Sequence, residues 1–456
     1  MFFRRLIMLV PLFLVSELAS AAEVNNLGLT GTETGIFTVL IFIIAYGFVM
    51  AEEFTHLRKS KPVIFAGAVI WAHAAYLASE AGVAVEQTHQ VFERNLVEFA
   101  ELMLFLIVAM TYVNSMAERN VFNALRSWLV RKHFNYRQLF IITGIITFFL
   151  SAVADNLTSA LLVGAVVLAV GRGNQRFISI GFVNLVVAAN AGGAFSPFGD
   201  ITTLMVWQAG YAEFFDFFNL FIPSVVNYAV PAAFMYFAVP NEQPEQSADE
   251  EVVGLKVGAI PVCALFALTI VLAVSFKQLI HLPPFMGMML GLSLLMLYGY
   301  YLKITCSEHE GDYRFDIFRK IRDAEWDTLF FFFGVVFAVG GLGYIGYLEL
   351  LSGAMYDTLG ATTANILVGV LSAIIDNIPV MFAVLSMNLD MDLYQWLLVT
   401  LTAGVGGSLL SIGSAAGVAL MGQSKQMYTF FSHVKWMPHI ALGYIASIFV
   451  HYLING

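Results

Sequence analysis

Long apolar runs alternate with short charged loops along this chain, and within the runs polar residues do not recur at every second position. Runs at about 34–50, 62–79 and 97–114 are each close to the ~20 residues that cross a bilayer as a helix. The alternation expected of a membrane barrel is missing. Further spans are predicted at about 219–239, 255–275 and 284–302, another begins at Glu325-Trp326, and a last one closes the chain. The chain therefore reads as a helical membrane bundle.

Three regions depart from simple spans. Gln138 to Val170 carries Asp155-Asn156 in its middle, and the stretch at about 361–388 carries Asp376-Asn377 in the same context. Phe177 to Gly210 is too long for one span and is interrupted by Asn190-Ala-Gly-Gly-Ala-Phe-Ser-Pro-Phe-Gly-Asp200. A second Gly-rich break, Gly404-Val-Gly-Gly-Ser408-Leu-Leu-Ser411-Ile-Gly-Ser414, repeats its glycines at a constant offset, Gly406, Gly407 and Gly413 matching Gly192, Gly193 and Gly199. Gly and Pro at that density end helices. Freed backbone groups at membrane depth are tolerated only where they line a cavity or hold an ion.

Charge orients the pattern. Arg58, Lys59 and Lys61 follow the first span, and Arg119, Arg126, Arg131, Lys132 and Arg137 follow the third, so both loops are expected in the cytoplasm. Arg172 and Arg176 follow the first Asp-Asn segment, which then enters from the cytoplasm, turns and returns; two short full crossings would give the same pattern. The second segment is flanked by Asp357, Asp390 and Asp392 and should open outside. Arg94 and Lys277 are then the Lys or Arg left outside. Trp207, Trp326, Trp396 and Trp436 fall near span ends, where interfacial aromatics sit.

The predicted fold is an all-α integral membrane protein of two inverted-topology repeats, each with a re-entrant hairpin and a broken transmembrane helix. An export signal (1–21), cleaved or kept as a first helix, precedes N-terminal membrane helices (34–94). The first repeat (95–239) has its hairpin at about 138–170 and its broken helix at about 177–210. An acidic linker (240–253) and scaffold helices with a basic loop (255–322) lead to the second repeat (323–456), with hairpin about 361–388 and broken helix about 394–423.

Composition excludes a soluble domain, at 59% apolar and 12% charged residues. The net charge of −10 adds little as a sum, because its distribution across the two faces matters more. Cys263 and Cys306 have no spacing of a metal site or disulfide framework, and the His are scattered mostly in loops. No cofactor and no nucleic-acid partner is expected.

Carboxylates inside a membrane are costly and mark ion or proton paths. The motifs offer carboxylate, amide, hydroxyl and freed carbonyl oxygens, which suit small hard cations. Asp155, Asp376 and Asp200 are the candidates for proton and cation exchange; Asp200 is replaced by Ser414 in the second repeat, so the half-sites are unequal. Desolvation favours the protonated carboxyl and a bound cation the bare carboxylate, so proton and cation compete. Capping of the second hairpin helix is the structural alternative for each Asp-Asn pair, and close helix packing for the glycines.

With Asn190-Ala-Gly-Gly-Ala-Phe-Ser-Pro-Phe-Gly-Asp200-Ile-Thr-Thr, Gly406-Gly-Ser-Leu-Leu-Ser411-Ile-Gly-Ser414-Ala-Ala-Gly417 and the paired Asp-Asn hairpins, the chain from about residue 34 onward closely resembles the NhaD-type Na⁺/H⁺ antiporters of the ion-transporter superfamily. The resemblance implies export of Na⁺ and Li⁺ for H⁺ across a bacterial inner membrane, with a role in sodium and pH homeostasis and salt tolerance. It implies a site of Asp155, Asn156, Asn190, Asp200, Thr202 and Thr203 with Ser372, Asp376, Asn377, Ser411 and Ser414, to which Glu101 and Glu325 are weaker additions. It places Na⁺ or Li⁺ at Asp155, Asn156, Asp376 and Asn377, and implies a homodimer. Dicarboxylate carriers of the superfamily have Ser-Asn-Thr at the hairpin tips, where this chain has Asp in both copies. A Na⁺-coupled dicarboxylate or arsenite carrier is the competing reading, and an intramembrane aspartyl protease a remote one.

Overall fold

The computed structural model describes residues 26–132, 134–171, 174–244, 253–305, 315–424 and 426–456. The expected export signal, most of the acidic linker, Arg172, Cys306, Arg314 and Lys425 lie outside the described residues. Among the described residues every regular element is a helix, and ten helices are long and apolar enough to cross a membrane. The protein is a multi-pass membrane protein.

In chain order the main helices are α1 (Glu33–Met50), α2 (Ser60–Glu80), α3 (Val85–Glu118), α4 (Tyr136–Ala154), α5 (Asn156–Val170), α6 (Gln175–Gly193), α7 (Ile201–Ala209) and α8 (Phe221–Ala238). After the linker come α9 (Ala259–Ile280), α10 (Pro284–Thr305), α11 (Trp326–Ile345), α12 (Ala361–Ser372), α13 (Asn377–Ser386), α14 (Leu393–Gly406), α15 (Ala415–Gln423) and α16 (Met437–Asn455). Six of these, α5, α7, α12, α13, α14 and α15, are shorter than a span, and they cluster at the Asp-Asn and Gly-rich motifs.

Small residues let the backbones approach. A Cβ on Gly334 of α11 would stand 2.5 Å from the Val63 carbonyl carbon of α2, so α2 and α11 are in backbone contact. The same device recurs beside both motifs: a Cβ on Gly192 would meet the Phe148 carbonyl oxygen at 2.0 Å, and one on Gly406 the Gly369 carbonyl oxygen at 2.1 Å. Likewise a Cβ on Gly199 would meet the Ser151 carbonyl oxygen at 2.7 Å, and one on Gly413 that of Ser372 at 2.8 Å. No larger residue fits these crossings without separating the helices. α6 is buried on almost every side, which is why a span of modest hydropathy holds Asn184 and Asn190.

Outside this core, α9 and α10 pack on each other and on α3. Tyr112 of α3 donates to the Gly291 carbonyl at 2.7 Å and accepts from the Thr269 hydroxyl at 2.8 Å, joining all three helices inside the apolar layer. α8 packs on α16 across Gly443, whose missing Cβ leaves room for the Asn227 carbonyl.

Two sequence expectations change. The span at 97–114 belongs to a helix that begins at Val85, because Trp71, Phe92, Phe99 and Phe337 pack where hydropathy sees only a polar loop. Trp207 and Trp396 are buried rather than interfacial: Trp207 packs on Phe198 and Phe214, and Trp396 stacks on Tyr211 with ring centroids 3.8 Å apart.

Candidate ion site

The first Asp-Asn motif divides α4 from α5 at a single residue. Asp155 has φ 58° and ψ 161°, a region that costs an ordinary L residue roughly 1–3 kcal/mol. Its side chain offsets part of that cost by capping α5. Oδ1 accepts the Thr158 amide at 2.7 Å and Oδ2 the Thr158 hydroxyl at 2.8 Å. The capping role anticipated as the structural alternative is therefore real for Asp155, and it uses both carboxylate oxygens.

The first Gly-rich motif ends α6 at Gly193 and restarts helix at Ile201. Asp200 caps α7, with Oδ1 accepting the Thr202 amide and the Thr202 hydroxyl at 3.0 Å each. Its other oxygen, Oδ2, accepts from Asn156 Nδ2 at 3.0 Å and from Asn377 Nδ2 at 3.0 Å. Asn377 also reaches Oδ1 at 3.2 Å. One carboxylate, 3% exposed, thus ties together the first turns of α5, α7 and α13.

A fourth helix start joins through amides. Asn156 Nδ2 donates to Asn190 Oδ1 at 3.2 Å, and Asn190 Nδ2 donates to Ser414 Oγ at 3.0 Å; Ser414 is the N-cap of α15. Three helix N-termini, with their partly positive amide ends, therefore meet at Asp200, and that of α15 joins them through Asn190 and Asn156. Rotating Asn156 or Asn377 by half a turn about its last bond would replace its NH₂ by its oxygen. The cluster can then turn from a hydrogen-bonded carboxylate into an all-oxygen cage for a small hard cation.

The remaining candidates divide into three kinds. Ser372 donates to the Ala403 carbonyl at 2.7 Å, as Ser151 donates to the Ala189 carbonyl at 2.6 Å, so the two serines tie α12 to α14 and α4 to α6. Thr203 is buried with its hydroxyl 3.5 Å from the Gly193 carbonyl, and the buried Ser411 hydroxyl has no hydrogen-bond partner. Glu101 and Glu325 stand apart from Asp200. Glu101, with Glu98, lines a cavity of about 600 Å³ bounded also by Arg94, Met205 and Phe382, whereas Glu325 is exposed at the start of α11.

This cavity lies at the C-terminal ends of α7 and α13, the ends away from Asp200 and Asp376. Lys277 closes the end of α7 by donating to the carbonyls of Trp207 and Gln208 and lies within electrostatic reach of Glu101. Arg94 and Lys277, the two cations that the charge pattern leaves outside, thus stand on the same side of the molecule. At the other end of α3, Lys320 pairs with Glu118 at 2.5 Å, and Asn114 donates to the carbonyls of Lys320 and Asp323, so the basic segment after α10 packs on the C-terminal end of α3.

A family model described as a citrate transporter matches residues 6–404. Among curated relatives, the Na⁺/H⁺ antiporter NhaD of Alkalimonas amylolytica is 53% identical, over 96% of this chain and 94% of that one. The NhaD antiporters of Halomonas elongata and Vibrio cholerae are each 52% identical, covering 99% and 98% of this chain and 94% and 97% of theirs. The chain belongs to the NhaD family. These NhaD relatives are named as antiporters rather than enzymes.

Asp376 is the member of the site that sequence reasoning left without its partner. Its Oδ2 accepts from Lys59 Nζ at 2.8 Å, and its Oδ1 is buried with no hydrogen bond. No side chain caps α13. The local sequence carries the reason: where Asp155 has Thr158 three residues on, Asp376 has Pro379, which offers neither an N–H nor a hydroxyl. That difference shows that Asp376 needs a distant partner; only the fold shows which.

Proposed function

We propose that this protein is a secondary antiporter exchanging Na⁺, and Li⁺, for H⁺ across the bacterial inner membrane, in the service of sodium and pH homeostasis. The observation that carries this reading is the buried Asp200 carboxylate bonded by an amide from each Asp-Asn motif, in a chain about half identical to NhaD antiporters. Protonated, Asp200 is neutral, and its O–H needs an amide oxygen turned toward it by Asn156 or Asn377. Ionised, it attracts a cation. Proton and cation therefore exclude each other at one group, and exchange follows if only loaded forms cross the membrane.

On this reading the site lies where two inverted repeats meet, each contributing a re-entrant hairpin and a broken helix. The matched close approaches of Gly192 with Phe148 and Gly406 with Gly369, and the matched bonds of Ser151 and Ser372, support that pseudo-symmetry. The cavity at Glu101 is the outer approach, and the protein works as a homodimer. Asp200 lies within electrostatic reach of Asp155, and Asp376 of Asp200, so loading one carboxylate biases its neighbour. An anion carrier is less well supported, because the Lys59 ammonium is already neutralised by Asp376.

The test is collapse of a respiration-generated pH gradient in everted membrane vesicles. Addition of Na⁺ or Li⁺ should dequench a pH-gradient probe in vesicles containing the protein and not in vesicles lacking it. Cation-dependent uptake of a dicarboxylate, with no such dequenching, would transfer the assignment to an anion carrier.

A further inference from the structure

The Lys59–Asp376 pair joins residues that lie in different parts of the chain, and the geometry around it is specific. Lys59 is the residue that precedes α2, and its ammonium sits 2.8 Å from Asp376 Oδ2 and 4.3 Å from the centre of the Phe331 ring. Both side chains are largely buried, at 16% and 9% exposure. The backbone contact of α2 with α11 fixes the root of Lys59, while its four-carbon stem leaves the head free to move. Asp376 has the opposite character: it begins α13 without capping it, and its second oxygen is buried and unpartnered. It is a carboxylate held by one mobile cation and otherwise open to another.

Lys59 also has somewhere else to go. Glu52 and Asp327 both lie within electrostatic reach of this cluster, and Asp327 Oδ1 is held by the Ser60 hydroxyl at 2.5 Å, one residue along from Lys59. Tyr46 faces Asp376 from α1. The ammonium can therefore leave Asp376 for Glu52 and Asp327 without losing carboxylate company, and there it meets solvent, because both of those residues are partly exposed. A buried charge pair broken with no replacement strands an uncompensated charge, so this second seat is what makes displacement feasible.

We propose that Lys59 is a tethered competitor for the transported cation: its ammonium occupies Asp376 in the empty protein, and Na⁺ drives it off toward Glu52 and Asp327. This rests on the antiport reading and adds a residue to it. No covalent step is involved. The tether keeps Asp376 charge-paired for most of the time when neither proton nor Na⁺ is bound. It also weakens apparent Na⁺ affinity in proportion to its own occupancy; a site free of Lys59 one-tenth of the time binds about tenfold more weakly than the site without the lysine.

The deciding measurement uses the wild-type protein purified in detergent. Lys59 is labelled by reductive methylation and quantified by peptide mass spectrometry, with saturating NaCl against choline chloride at equal ionic strength. Displacement predicts Lys59 labelling several-fold faster in Na⁺, with Lys256 and Lys303 unchanged. Equal or slower labelling in Na⁺, in protein whose vesicles show Na⁺-dependent dequenching, overturns the proposal while leaving antiport standing. Absence of dequenching instead removes the antiport reading, and the proposal falls with it. Lys59→Gln and Lys59→Arg give a second reading by Na⁺ titration of the purified protein. The glutamine variant should bind Na⁺ about tenfold more tightly and the arginine variant no more tightly than wild type; unchanged affinity in a folded glutamine variant overturns the proposal independently.

Discussion

Replacing Asp200 by Asn is the sharpest perturbation of the site, because it removes charge and almost no volume. The amide oxygen can keep the two bonds to Thr202, and Asn caps a helix about as well as Asp, so the cap of α7 should survive within about 1 kcal/mol. The other half of the group changes sign as a hydrogen-bonding partner. An NH₂ would face the NH₂ groups of Asn156 and Asn377, and both must rotate to present oxygen. Rotation restores the bonds to residue 200 at the expense of the one from Asn156 to Asn190, a cost of about 1 kcal/mol, so folding is largely spared. Cation binding is not spared: a unit charge at about 4 Å and an effective dielectric near 20 contributes about 4 kcal/mol, close to three powers of ten in affinity. The expected result is no dequenching in everted vesicles at Na⁺ concentrations that saturate wild type, with unfolding temperature in detergent shifted by only a few degrees. A variant with half-maximal Na⁺ concentration within tenfold of wild type, roughly 1.4 kcal/mol, would refute Asp200 as the cation carboxylate.

Two further substitutions separate packing from ion contact. Gly406→Ala puts a methyl group 2.1 Å from the Gly369 carbonyl oxygen and should destabilise the protein by at least about 1–3 kcal/mol, lowering its unfolding temperature in detergent, whereas Gly422→Ala meets nothing within 4 Å and should be neutral or mildly stabilising. Ser411→Ala removes a buried hydroxyl with no hydrogen-bond partner among the described residues, so it should leave thermal stability intact or raise it while raising the half-maximal Na⁺ concentration in the vesicle assay several-fold.

Much of this molecule is legible in its sequence because membranes simplify the reading. A lipid environment demands internally satisfied backbone, so apolar length alone reveals the helices, and Gly-Gly and Asp-Asn interruptions reveal where they stop. α5, α7, α13 and α15 all begin at residues that the motifs mark: Asn156, Ile201 after Asp200, Asn377 and Ala415 after Ser414. The membrane class, the unequal Asp200 and Ser414, and the small residues at the crossings also follow from local chemistry. Even the altered behaviour of Asp376 is signalled locally, by Pro379 standing where Thr158 serves Asp155.

Tertiary structure alone decided what those residues do to one another. In sequence Asp155, Asp200 and Asp376 are equivalent as membrane carboxylates. Packing leaves Asp155 with its local cap, but makes Asp200 the junction of both Asp-Asn amides and Asp376 the partner of a lysine from a loop that charge counting assigns to topology. It also set Glu101 in a cavity, left Glu325 exposed and buried Trp207 and Trp396. The physical reason is one of range. Helix stops, caps and spans depend on neighbours within a few positions, whereas burial and charge pairing depend on which surfaces the helices bring together, and no local pattern records that.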